Sequence, residues 1–201
     1  MPSYFKALTT DGHDFVSDVA WFISMGSTTR RPRCGPGSNE DLVVADDPTL
    51  CWGAQWPCRL VEVEPVEDVY PTGRCGRFSG AVFRVVGEHE PYAVFGPQGK
   101  QVAHLLVRLL SLPISARRHL SVVAQNFDQH SLIVLREAIV VAGLVDPCFV
   151  IDDATDLAVG MRLAARTGSR ALLARHVIQE DLYRTLATPL MSVVGSLHPD
   201  D

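Results

Sequence analysis

The spacing of apolar residues changes its period part-way along the chain. In the first half it is short and close to two. The segment Cys58-Arg59-Leu60-Val61-Glu62-Val63-Glu64 places Leu60, Glu62 and Glu64 on one face and Arg59, Val61 and Val63 on the other, which is the alternation of a β-strand. Tyr4–Leu8, Ala81–Val86 and Tyr92–Phe95 are predicted as strands on β-branched and aromatic content, and residues 14–25 as a further extended segment. Thr9-Thr10-Asp11-Gly12 and Glu88-His89-Glu90 are predicted as turns. Asp46-Asp47-Pro48 has an acidic cap followed by proline, the start of a short helix.

Beyond Gly96-Pro97-Gln98-Gly99 the period becomes 3.6. Val102, Leu105, Leu106 and Leu109 recur at i, i+3, i+4, i+7 and predict a helix from about Lys100 to Leu112, ended by Pro113. A second helix is predicted over Ser115–Gln125. Asp128 caps a third, whose apolar residues cover more than one face and point to a central position in a bundle. Asp146-Pro147 repeats the cap-and-proline signature for a fourth helix running to Arg166. Ser169 opens a fifth, which Pro189 breaks before a short tail at Leu190–Leu197. The fold class that follows is α+β: a small, mostly antiparallel sheet unit over residues 1–97, then a bundle of about five helices over residues 98–201.

A chain of 201 residues, 47% of them apolar, can bury a self-supporting core and is not a disordered polymer. The net charge of −5 argues against a surface built as a whole to grip nucleic acid, although a small basic patch stays open. The deficit is local: residues 1–97 carry 8 basic and 13 acidic side chains, residues 98–201 carry 10 of each. No run of 18 apolar residues occurs, and Met1-Pro2-Ser3-Tyr4-Phe5-Lys6 lacks the basic start and apolar stretch of a signal peptide, so no membrane association and a cytoplasmic address are expected.

Strong catalytic and nucleotide-binding motifs are missing: there is no G-x-x-x-x-G-K-[ST], no G-x-G-x-x-G after a strand, no H-E-x-x-H and no G-x-S-x-G. Weaker constellations remain. Arg30, Arg31 and Arg33 form the densest basic run, a candidate ligand-binding contact for phosphate on a loop, because guanidinium groups bind such anions bidentately. His13 and Glu62 are catalytic candidates as an acid–base pair, provided that the fold brings them within hydrogen-bond reach. Arg162, Arg166 and Arg170 recur at helical spacing and could receive nucleic acid or an acidic helix. Trp52 and Trp56 bracket the tight segment Trp52-Gly53-Ala54-Gln55-Trp56-Pro57, where large rings serve either as core plugs or as interface anchors.

Three stretches carry a resemblance. Tyr4-Phe5-Lys6-Ala7 with Asp11-Gly12-His13-Asp14-Phe15, then Ala45-Asp46-Asp47-Pro48, then Trp56-Pro57-Cys58-Arg59-Leu60-Val61-Glu62-Val63, resemble the "Y-K-A … D-G-x-D-F", "H-A-S-x-D-P" and "W-P-C-R-L-F-E-V" segments of an uncharacterised family of actinobacteria and their phages. The likeness spans roughly the first 65 residues and extends more loosely to the helical tail. Val44 stands where the family pattern has a histidine, so no role of that histidine carries over. The resemblance implies a source and assigns no chemistry. Missing motifs and the tryptophan segment together favour a non-catalytic accessory or regulatory protein with a protein partner, a phage product acting on a target in the host cytoplasm. Two alternatives stand beside it: an enzyme acting on a nucleotide or phosphate-bearing substrate, and a nucleic-acid-binding protein using the helical half.

The five cysteines, Cys34, Cys51, Cys58, Cys75 and Cys148, include no close C-x-x-C pair, so neither a metal nor another cofactor is expected. Native mass measurement in EDTA and reductant is therefore predicted to give a folded, metal-free chain; one stoichiometric zinc ion whose removal unfolds the protein would contradict this.

Overall fold

The computed structural model describes residues 2–31, 41–144, 146 and 159–198. Two compact units divide the chain, Met1–Val94 and Phe95–Asp201. The first is built on a seven-stranded antiparallel sheet. Its strands are β1 (Tyr4–Leu8), β2 (Thr28–Arg30), β3 (Leu42–Ala45), β4 (Arg59–Pro65), β5 (Val69–Pro71), β6 (Arg77–Gly80) and β7 (Val82–His89), in the spatial order β2-β7-β4-β1-β3-β6-β5. β1 lies in the middle, with Lys6 opposite Val61 on β4 and Phe5 opposite Ala45 on β3. A register shift between Glu62 and Val63, where β4 meets β7, adds a residue to the ladder and moves the last residues of β7 relative to β4.

One face of the sheet carries the core: Tyr4, Leu8, Leu42, Val44, Val61, Val63, Phe83 and Val85, with Trp21 folded over it from the loop after β1. Trp21 stacks on Phe83 at 6.1 Å between centroids. Period two puts Lys6 between Tyr4 and Leu8, so its side chain must also enter this core. It does so paired. Lys6 Nζ lies 2.8 Å from Asp14 Oδ2, with the two side chains only 3% and 5% exposed, and 5.9 Å from the Trp21 ring. Asp14 is itself held by the Val16 amide and the Ser17 hydroxyl, at 3.0 and 2.8 Å. The ammonium has no well-angled hydrogen bond among the described residues, so its compensation is Coulombic and comes almost wholly from Asp14.

Several predicted boundaries move. Residues 14–25 form no strand; the loop is tied instead by bridges at Leu8–Asp14 and His13–Ala20. Tyr92–Phe95 lies in a 3-10 turn, Pro91–Phe95, where Ala93 donates to the Glu90 carbonyl at 3.1 Å. Pro91 removes the ladder donor that a strand would need there. Glu88 and His89 are the last residues of β7 rather than a turn. The helix start at Asp46–Pro48 is a single 3-10 turn, Pro48–Leu50, capped by Asp47 through the Thr49 amide at 2.8 Å.

The second unit has five helices among the described residues: α1 (Gly99–Ser111), α2 (Ile114–Gln125), α3 (Gln129–Val141), α4 (Val159–Ala174) and α5 (Glu180–Val194). Asp128 caps α3 through the Ser131 amide at 2.8 Å. The central helix is α4, which packs against each of the other four. α3 is peripheral: it buries Leu135 and Ile139 but leaves Ile133, Val140 and Val141 exposed. The predicted helix end at Thr167-Gly168 is absent, because α4 runs through it with Thr167 and Ser169 buried. Gly168 serves a crossing, not a stop. A Cβ there would lie 2.7 Å from Leu105 Cδ2 and 2.9 Å from Leu190 Cδ1, so only glycine lets α4 approach α1 and α5 this closely. Pro189 likewise sits inside α5. The carbonyl it deprives of a donor belongs to Thr185, an exposed residue that water can reach. The predicted start of a fourth helix at Pro147 lies outside the described residues.

The Lys6–Asp14 pair makes the first unit sensitive to loss of one partner. Asp14→Ala is predicted to cost about 3–5 kcal/mol in urea unfolding, and the double change Lys6→Met, Asp14→Ala to recover more than half of that. Equal losses in the single and double variants would show that the pair does not set the stability of this unit.

Candidate functional site

The tryptophan segment divides into two environments. Trp52 is 42% exposed, whereas Trp56 is half-buried and Pro57 beside it is exposed. Of the two rings, Trp52 is the more exposed. Its position is set by Gly53 at φ 70°, a conformation that favours glycine. A Cβ on Gly53 would lie 2.4 Å from Val16 Cγ2, so the turn is pressed against the Asp14–Asp18 loop. Val16, against which Gly53 packs, is itself 46% exposed. The exposed carboxylates of Asp46 and Asp47 precede it in the chain.

The arginine run is neutralised where it is described. Arg30 Nη1 lies 3.4 Å from Glu67 Oε1, and Arg31 Nη1 lies 2.5 Å from Asp41 Oδ1. The cleft beside them, 520 Å³ in volume, is lined by Arg31 together with Asp41, Glu67 and Asp68, so an anion entering it meets more negative than positive charge. Arg33 lies outside the described residues.

His13 and Glu62 have different partners. His13 Nδ1 is 3.1 Å from the Asp18 carbonyl and 3.3 Å from its carboxylate, within the loop after β1. Glu62 lies on the sheet face opposite the core, 2.7 Å from His89 Nε2. The Ser3 hydroxyl, and then His89, hold the Glu62 carboxyl below its ordinary pKa. Phe5 meets the His89 ring edge-on at 5.4 Å. An imidazole oriented by a carboxylate is half of a nucleophile-activating device. The other half is missing among the described residues, because Ser3 bonds the carboxylate and no hydroxyl or thiol reaches the imidazole. On the other face of the sheet, Arg59 holds Glu88 through two bonds of 2.8 Å and lowers its pKa. The alternation in β4 announces the Glu62 face; His89 joins it only because β7 runs three residues further than its sequence pattern.

No group of three or more His, Cys, Asp or Glu side chains among the described residues could hold a metal ion. No described helix is long and apolar enough to cross a membrane. Arg170, the last of the arginine stripe, forks onto Asp146 with bonds of 3.0 and 2.6 Å, and Arg162 and Arg166 have partners of their own. The basic positions that sequence reasoning passed over are on α1, where Lys100, His104 and Arg108 fall on one face; their i, i+4, i+8 spacing was the available signal. Comparison with protein-family models, with curated proteins and with solved structures finds no match to this chain.

Burial pushes the thiols of Cys51 and Cys58 up to about 12. Cys75 is exposed. Iodoacetamide at pH 8 is predicted to label Cys75 at least about tenfold faster than Cys51 or Cys58 in the native protein, because the thiolate is the reactive form. Peptide mapping checks this, and equal rates would show that the segment between Cys51 and Cys58 opens readily.

Proposed function

We propose that this chain is a non-catalytic accessory or regulatory protein that binds another protein, with Trp52 as the anchor and the adjoining Val16 surface as the rest of the contact. The observation that carries the reading is the exposure of Trp52, 42%, beside the tight turn at Gly53. Tryptophan has few torsions to freeze on binding, and such residues supply a large share of the energy of many interfaces. Asp46 and Asp47 give the neighbouring chain negative charge, so the partner that fits has an apolar pocket with a basic rim. The resemblance to actinophage proteins supports a bacterial target in the host cytoplasm.

Trp52→Ala is predicted to weaken partner binding by at least about 2 kcal/mol while lowering the stability of the fold by less than about 1 kcal/mol. Trp56→Ala is predicted to show the reverse balance, since its ring is the more buried. Affinity capture from an actinobacterial lysate, with wild type and W52A side by side and denaturation curves for both, reads the two quantities. Loss of stability above about 3 kcal/mol in W52A would make Trp52 a core residue. A captured protein retained equally by both chains would remove it as the anchor.

A further inference from the structure

The second unit contains a cleft of a different character. It has a volume of 630 Å³ and lies between α1 and the residues that follow α5, lined by Lys100, His104, Val107 and Arg108 from the helix and by Leu197 and His198 from the chain end. No carboxylate is among its lining residues as far as the chain is described, to His198. Among the described residues neither Lys100 nor Arg108 forms an ion pair, in contrast to Arg30 and Arg31 of the first unit. Both charges are therefore available to a ligand.

Three features of the local structure point the same way. α1 starts without a side-chain cap on Gln98 and without an acidic residue in its first turn. Lys100 occupies that turn instead, a cation at the positive end of the helix dipole, which is an unfavourable place for it unless an anion is bound. The amides of Lys100 and Gln101 donate to no backbone carbonyl, so they can add to the same anion. At the other end of the cleft Arg108 is fixed in position, because its Nη1 donates to the Val194 carbonyl at 2.9 Å. A carbonyl takes up one donor and leaves the charge. The Nε of Arg108 is buried and has no hydrogen-bond partner among the described residues.

Lys100 and Arg108 are eight residues apart, about 12 Å along the helix. That length exceeds a single phosphate. His104 lies between the charged ends on the same face, and Val107, more than half exposed, adjoins Arg108 as an apolar wall. We propose that this cleft binds a phosphorylated small molecule of nucleotide size, with the phosphates at the start of α1 and at Lys100, and the organic part along Val107 towards Arg108. The volume suits such a ligand, since sites for small molecules run from about 300 to about 1,000 Å³.

Isothermal titration of the full chain with ADP, inorganic pyrophosphate and adenosine tests this. ADP is expected to bind saturably, pyrophosphate more weakly, and adenosine at least about tenfold more weakly than ADP. Lys100→Glu is the informative variant. It is expected to reduce ADP affinity by about tenfold or more while leaving the melting temperature unchanged or raised, because an acid suits the first turn of a helix. Arg108→Lys, which keeps the charge but not the fork, is expected to weaken ADP binding with the fold intact. The proposal is overturned if neither ADP nor pyrophosphate saturates by about 1 mM. It is overturned equally if Lys100→Glu binds ADP as the wild type does. Tighter binding of a single-stranded oligonucleotide than of ADP, lost in the same variants, would replace it with a nucleic-acid site.

Discussion

The sheet unit depends on a charge in an unlikely place. β1 is the middle strand of seven, and its alternation sends Lys6 to the same face as Tyr4 and Leu8. A lysine there is tolerable only with an anion beside it, and none of the neighbouring strands supplies one from the core face. Asp14 does so from the loop, and this requirement shapes everything between β1 and β2. The loop must fold back over the sheet far enough to deliver a carboxylate within 2.8 Å of Nζ, and in doing so it carries Trp21 onto Phe83. Hydrophobic closure of the core and neutralisation of Lys6 are thus one event. The indole Nε1 of Trp21 is buried without a hydrogen-bond partner among the described residues, at a cost of about 1–3 kcal/mol. Stacking on Phe83 and the nearby ammonium offset part of that cost.

That arrangement also explains the surface. The Asp14–Asp18 loop is anchored from below by the ion pair, and Gly53 rests on Val16 from the side. The turn that carries Trp52 is consequently braced through Gly53 against a loop that is itself anchored. A buried polar contact in the centre of the unit and an exposed ring at its edge are connected by a few residues, Asp14, Val16 and Gly53, each held for a separate physical reason.

Periodicity revealed the elements that were long enough to have a period. β4, with seven residues, showed its two faces directly, and so did α1. β2, β3, β5 and β6 have three or four residues each, too few for alternation to register, and they form because longer neighbours offer them an edge. The helical half misled for a different reason. Thr167-Gly168-Ser169 has the local chemistry of a helix end, and local chemistry cannot report that Leu105 and Leu190 need the space of a missing Cβ. Likewise Tyr92–Phe95 has strand-like residues, but Pro91 imposes a turn on them. Of the candidate site, the tryptophan segment was legible and the choice between its two rings was not. That choice turns on the contact between Gly53 and Val16, residues 37 positions apart. The same limit applies to Glu62, whose partner His89 is 27 positions away and is set by strand register.

The distribution of paired and unpaired charge separates the two units more sharply than net charge does. In the sheet unit Arg30, Arg31, Arg59 and Arg84 each meet a carboxylate, so its acidic surplus is what remains at the surface after these pairs are made. Such a surface repels anions, and apolar contact around Trp52 is what it can offer a partner. The helical unit has equal numbers of acidic and basic residues by sequence, yet no acid among the described residues pairs with Lys100 or Arg108. Arg170 and Arg184 take Asp146 and Glu180, and among the described residues the cleft along α1 keeps its two cations. A neutral total therefore coexists with a locally positive cleft, and the field felt by a small anion is set by the residues within about a Debye length, roughly 8–10 Å, and not by the sum over the chain. An argument against anion binding drawn from a net charge of −5 holds for a long polyanion that would lie across much of the surface. It does not hold for a ligand small enough to fit within one cleft.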